Sequence, residues 1–125
     1  MPYLNRNQII TLIRNKSIYS NRSITNKQIQ PASLDLTLSN VCYRIKASFI
    51  PNDIKISKVI NELALTKINL NRNTLLEKNC IYLCELNEKL RLPKDIMGKS
   101  NPKSTTGRLD IFTRVITEKG TEYDF

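Results

Sequence analysis

Apolar residues recur along the chain with two different periods. Between Asn5 and Asn15, Ile9, Ile10, Leu12 and Ile13 fall on one helical face, with Asn5 or Asn7 placed to cap its start. This spacing predicts a short amphipathic helix over 5–15. Residues 15–30 are polar and rich in Asn and Ser, anchored by Ile18, Ile24 and Ile29, and read as a connecting loop. Strict alternation then begins at Ser33-Leu34-Asp35-Leu36-Thr37-Leu38 and resumes after Ser39-Asn40 as Val41, Tyr43 and Ile45. Two strands joined by a tight turn are expected there. Ile56, Val59, Ile60 and Leu63 return to helical intervals and predict a further helix within 54–65, an insertion on a β core, although its β-branched content pulls the other way.

Further strands are expected at 74–77 and 80–86, bounded by Asn71-Arg72-Asn73 and Asn87-Glu88-Lys89. Leu90-Arg91-Leu92-Pro93 ends that run, and 97–106, with Gly98 and Pro102 among Ser and Lys, reads as a polar loop. From 108 to 117 alternation returns, with Leu109, Ile111, Thr113 and Val115 on one face. The sum is a mainly β domain spanning 1–125, with a short helix at about 5–15 and a β core over about 30–125. A chain of 125 residues and 14.4 kDa supports one hydrophobic core.

Composition narrows the chemistry. No run of about 18 apolar residues suggests a membrane span, and Met1-Pro2-Tyr3-Leu4-Asn5-Arg6 lacks the apolar region of a secretory signal, so a cytoplasmic protein is expected. The net charge of +9 is of the kind that attracts polyanions, including nucleic acid and nucleoside triphosphates. The abundance of Ile, Asn and Lys also fits an A/T-rich coding bias, which supplies basic residues without selection for a partner. The absence of histidine excludes imidazole bases and the usual zinc hydrolases, so a general base has to be a carboxylate. Cys42, Cys80 and Cys84 are too few for a disulfide framework and read as reduced core residues; with no histidine to complete a set around Cys80 and Cys84, no zinc is expected. Neither a Walker loop nor a GxGxxG cradle is present.

What remains is Lys99-Ser100-Asn101-Pro102-Lys103-Ser104-Thr105-Thr106-Gly107-Arg108, a stretch dense in cations, hydroxyls and turn formers. Turn amides, hydroxyl donors and the forked Arg guanidinium suit a phosphate. A solvated connection between strands has the same composition, so the loop alone does not decide between the two.

Paired with the upstream Ile29-Gln30-Pro31-Ala32-Ser33-Leu34-Asp35-Leu36, the loop resembles the dCTP deaminases of the dCTP deaminase and dUTPase superfamily. That family typically carries a short helix, a Gln-Pro-(Ala/Ser)-Ser-(Leu/Val)-Asp-Leu strand, and a later Lys/Arg-Ser-Ser-x-Ala/Gly-Arg loop, which Lys103-Ser104-Thr105-Thr106-Gly107-Arg108 matches in order and spacing. The wording from Asn101 to Arg114 is most similar to the N-terminal part of the long, tandem-domain bacterial form. The upstream motif is rather specific; the loop is shared in outline with dUTPases. The resemblance implies a distorted β-barrel or jelly-roll domain of the dUTPase-like (β-clip) kind, incomplete here, and trimers with nucleotide sites at subunit interfaces.

The implied reaction is zinc-free hydrolytic deamination of dCTP to dUTP, with a glutamate as general base. On this resemblance Ser104 orients substrate or the attacking water, and Arg108 stabilises the water and the charge on the ring. Lys103, Thr105, Thr106 and Gly107 complete the substrate loop, with Lys103 in place of the commoner Arg beside the triphosphate. Mg²⁺ accompanies the nucleotide, and Asp35 is either structural or Mg-linked. Asp110 stands where many family loops have Gly, and Asp124 lies near a sugar-contacting position. The segment resembling Gly-Tyr/Trp-x-Gly-x-x-x-x-Glu that carries the base is not found, neither Glu118 nor Glu122 has its context, and the tail that closes over the triphosphate is missing. The expectation is therefore a truncated form, inactive alone, that pairs with itself or with a chain carrying the C-terminal half. The alternatives are a non-catalytic deoxynucleotide-binding module and a basic nucleic-acid binder. The latter is disfavoured because Tyr43, Tyr82 and Phe112 fall inside apolar strand patterns instead of offering exposed stacking surfaces.

Overall fold

In the computed structural model, which describes residues 2–51 and 54–116, the first apolar stripe is a helix, α1 (Arg6–Arg14). Its start is a capping box: Asn5 Oδ1 accepts from the Gln8 amide at 3.0 Å and Gln8 Oε1 accepts from the Asn5 amide at 2.9 Å. Its end is closed by Lys16, which adopts a left-handed φ of 62° and donates its amide to the Ile13 carbonyl. The polar stretch that follows contains β1 (Ile18–Ser20), which the sequence reading placed in a loop. Ile18 is its one buried residue, too little for a periodic signal.

The expected pair of strands over 33–45 is instead a hairpin-like loop followed by one long strand. Residues 28–35 fold back at Pro31-Ala32, with the Gln30 amide donating to Ser33 O at 2.9 Å and the Asp35 amide to Gln28 O at 2.8 Å. Ile29 bridges Leu34 there, and β2 (Leu38–Ile45) then continues through Ser39-Asn40 with a bulge against the later strand 81–86, the register shifting between Leu38 and Cys42. Ser39-Asn40 does not turn because both edges of the strand are occupied: Asn40 O accepts the Leu70 amide at 2.8 Å on one side, and Thr37 O accepts the Asn87 amide at 2.9 Å on the other.

The second helical stripe is α2 (Ile56–Leu63). It passes directly into β3 (Ala64–Asn69), a strand the sequence reading did not place; the expected strand at 74–77 is irregular. Then follow β4 (Ile81–Leu86), β5 (Glu88–Leu90) and a single helical turn, α3 (Ser104–Gly107). β2 is the centre of an antiparallel sheet in the order β3-β2-β4, and β1 pairs antiparallel with β5. Asn87-Glu88-Lys89, expected to be a turn, is where the chain changes sheets: β4 follows β2, and one residue later β5 follows β1. The alternating run at 108–117 is a turn and then irregular as far as 116, with Thr117 outside the described residues.

The fold is mainly β, with two sheets and no barrel closure among the described residues. α1 lies against β1, where Ile9, Leu12 and Ile18 are buried, and α2 lies against β2, where Cys42, Ile45, Ile56 and Ile60 are buried. Leu75 and Phe112 are each 88% exposed and Leu109 is 72% exposed, so much apolar surface lies outside this core. Truncating Ile56, which is 1% exposed, to Ala should cost about 2–4 kcal/mol in urea unfolding, whereas Leu75→Ala should stay within about 0.5 kcal/mol.

Candidate functional site

The change of sheets at Asn87 places two polar side chains against Thr37. Asn87 Nδ2 donates to Thr37 Oγ1 at 2.9 Å and to Leu38 O at 2.8 Å. Glu88, only 4% exposed, accepts from the Thr37 amide at 2.8 Å, from Thr37 Oγ1 at 2.9 Å and from Gln28 Nε2 at 2.8 Å. Burying a carboxylate is costly unless donors replace its water, and these replace it. Gln28 Nε2 also donates to Asp35 O at 3.1 Å, so the buried acid grips both ends of the 28–37 segment.

That grip presents Asp35 at the surface. Its Oδ2 accepts from Gln30 Nε2 at 3.2 Å and from Lys103 Nζ at 2.7 Å, across 68 residues of sequence. The Lys103 ammonium is the main cause that holds the Asp35 carboxyl below the usual aspartate range. Lys103 itself is 66% exposed and immediately precedes α3. The Gly107 and Arg108 amides donate back to Lys103 O and Ser104 O, which closes the turn. Ser104, Thr105 and Arg108 are exposed, and Thr106 and Gly107 are half-buried.

Gly107 is not forced by space, since a Cβ there would meet Pro102 Cγ at 3.7 Å, an ordinary contact. The left-handed position is Asp110, with φ 56°. Glycine adopts that conformation freely, and Asp is among the few other residues that tolerate it. Ser100 Oγ is buried in the loop, with no hydrogen-bond partner among the described residues.

The structure therefore joins the two motifs singled out in the sequence, through Lys103 and Asp35. Among the described residues, neither Ser104 nor Arg108 is hydrogen-bonded through its side chain to the upstream segment. Glu118, Glu122 and Asp124 lie outside the described residues. The reading of Phe112 as a strand residue within an apolar pattern is corrected: it is exposed, between Arg108 and Arg114 in the chain. Gln28, Asn87 and Glu88 were missed, because their partners stand 50 to 60 residues away and only the fold supplies them. An acid at the end of an apolar strand run was the one available signal.

Residues 2–125 match the family profile of the 2'-deoxycytidine 5'-triphosphate deaminase (DCD) N-terminal domain. The chain belongs to that family. Its fold is similar to the crystal structure of 2'-deoxycytidine 5'-triphosphate deaminase from Agrobacterium tumefaciens, with a TM-score of 0.84 and 40% sequence identity over 97% of this chain. The chain spans 37% of the length of that deaminase. No curated protein sequence matches it. Among the described residues, no helix of this DCD N-terminal domain is long and apolar enough to cross a membrane.

Two consequences follow for this domain. Glu88→Ala should destabilise it by about 2 kcal/mol in denaturant unfolding, since the part-buried donors of Thr37 and Gln28 lose a charged acceptor. Asp35, whose pKa is lowered on folding, should stabilise the fold above the ordinary aspartate value of 3.8 and lose that contribution as pH falls below it. Asp35→Asn should flatten this acid limb in a pH series of melting temperatures, by no more than about 1 kcal/mol for so exposed a pair.

Proposed function

We propose that this chain supplies the substrate loop of a dCTP deaminase, acting in cytoplasmic deoxynucleotide metabolism, and that the carboxylate base comes from another polypeptide segment. The observation that carries this is the Lys103–Asp35 pair, which docks a Lys-Ser-Thr-Thr-Gly-Arg turn on a Gln-Pro-Ala-Ser-Leu-Asp-Leu segment in a fold of this family. Arg108 and the Ser104, Thr105 and Thr106 hydroxyls are the groups that hold dCTP, with Arg108 and Ser104 also steadying the attacking water and the charge that develops on the ring. Lys103 reaches a phosphate by leaving or sharing Asp35, at little cost for a surface pair.

Asp35 is structural on this reading. Its Oδ2 is taken by Gln30 and Lys103, and a cation beside it makes it a poor base and a poor ligand for the Mg²⁺ that accompanies the triphosphate. The exposed Leu109, Ile111 and Phe112, directly after the loop, support a second chain covering this face. Another copy, as in a trimer, or a chain carrying the remainder of a deaminase would bring the glutamate there.

The exposure of Phe112 near Arg108 and Arg114 favours a second reading, a basic nucleic-acid binder that stacks bases on the ring. Oligonucleotide affinity that falls steeply with salt and ignores dCTP would support it.

Stabilisation of the chain by dCTP over dTTP in a thermal-shift titration, with no uracil nucleotide released from dCTP and Mg²⁺, is the expected result. Turnover by the chain alone would place the base within it, and stabilisation without turnover under every pairing would mark a binding module. Arg108→Ala should weaken dCTP binding by more than about tenfold. Unchanged affinity in that variant would remove the loop from the site.

A further inference from the structure

Two of the three cysteines stand opposite each other across the sheet. Cys42, in the middle of β2, is the register partner of Cys84 in β4, and their sulfurs are 3.4 Å apart. Cys42 is fully buried at 0% exposure, while Cys84 retains partial access to solvent. Cys80, outside the strand, has its sulfur 3.8 Å from Glu77 Oε2.

We propose that Cys42 and Cys84 form a redox-active dithiol that reduces a small disulfide oxidant, such as glutathione disulfide, and closes to a cross-strand protein disulfide. The geometry needs little movement. Directly opposed residues of antiparallel strands hold their Cβ atoms about 4.5–5.5 Å apart, close to the separation a disulfide requires of about 3.5–4.5 Å. The sulfurs, 3.4 Å apart, have to close by about 1.4 Å to reach bonding distance.

The order of events follows from burial. Burial, reinforced by the Cys84 thiol beside it, pushes the Cys42 thiol up to about 12, so Cys42 is a thiol at neutral pH and does not react first. The Cys84 thiolate attacks one sulfur of glutathione disulfide; the S–S bond breaks and one glutathione leaves, taking up the proton that Cys84 released. Cys42 then displaces the second glutathione from Cys84 and gives that leaving thiolate its proton. Two protein thiols are oxidised by two electrons, and one glutathione disulfide is reduced to two thiols. Glutathionylated Cys84 is the intermediate, and Cys42 resolves it.

The bridge joins positions 42 residues apart and encloses α2 and β3. Closing a loop of that length restricts the unfolded chain strongly, so the oxidised sheet is the more stable one. It also ties β2 to β4 just before β4 reaches Asn87 and Glu88, the residues that hold Thr37.

The intact chain is incubated with glutathione disulfide, its remaining thiols are alkylated, and the digest is read by mass spectrometry. The expected product links the Cys42 and Cys84 peptides, leaves Cys80 alkylated and reverts with dithiothreitol. The Cys80→Ser variant should form the same bridge, and its melting temperature should rise on oxidation by on the order of 10 °C. Cys84→Ser should leave Cys42 alkylated and abolish the rise. A stable glutathione adduct on Cys84 with Cys42 unlinked, a Cys80–Cys84 link, or a bridge that lowers the melting temperature would each overturn the proposal.

Discussion

The buried carboxylate of Glu88 is the constraint on which the rest of this domain depends. A charge with 4% exposure survives in a fold only where protein donors take the place of water, and here Thr37 and Gln28 do so. Those donors belong to the segment that leads into β2, while Glu88 opens β5. One interaction therefore sets where the chain leaves one sheet for the other and how the 28–37 loop sits on both. The neighbouring Asn87 amide supports the same junction through Thr37 Oγ1 and Leu38 O.

From this buried anchor the order of the structure loosens outward. Gln28 is held from inside, Asp35 is half-buried, and Lys103 is mostly solvated. A loop that begins at an exposed ammonium is tied to the sheet by a contact worth little in water. The Lys103–Asp35 pair positions the loop at low cost.

Among the described residues the core is small, most of its buried apolar side chains lying at two helix–strand contacts with Ile29 in the 28–35 loop, and apolar side chains such as Leu109 and Phe112 are exposed.

By itself the sequence determined the helices, because a periodic stripe and a cap are local: α1 lies within 5–15 and α2 within 54–65, as the apolar spacing required. It also determined the family, since the Gln30–Leu36 and Lys103–Arg108 motifs carry that likeness without reference to space. The tertiary structure alone decided the strands and the wiring of the site. Ser39-Asn40 reads as a turn until both edges of β2 are paired; 87–89 reads as a turn until Asn87 and Glu88 meet Thr37; and Ala64–Asn69 becomes a strand because β2 offers it an edge. Strand identity, register and the burial of a charge are set by partners distant in sequence, and no local window contains them.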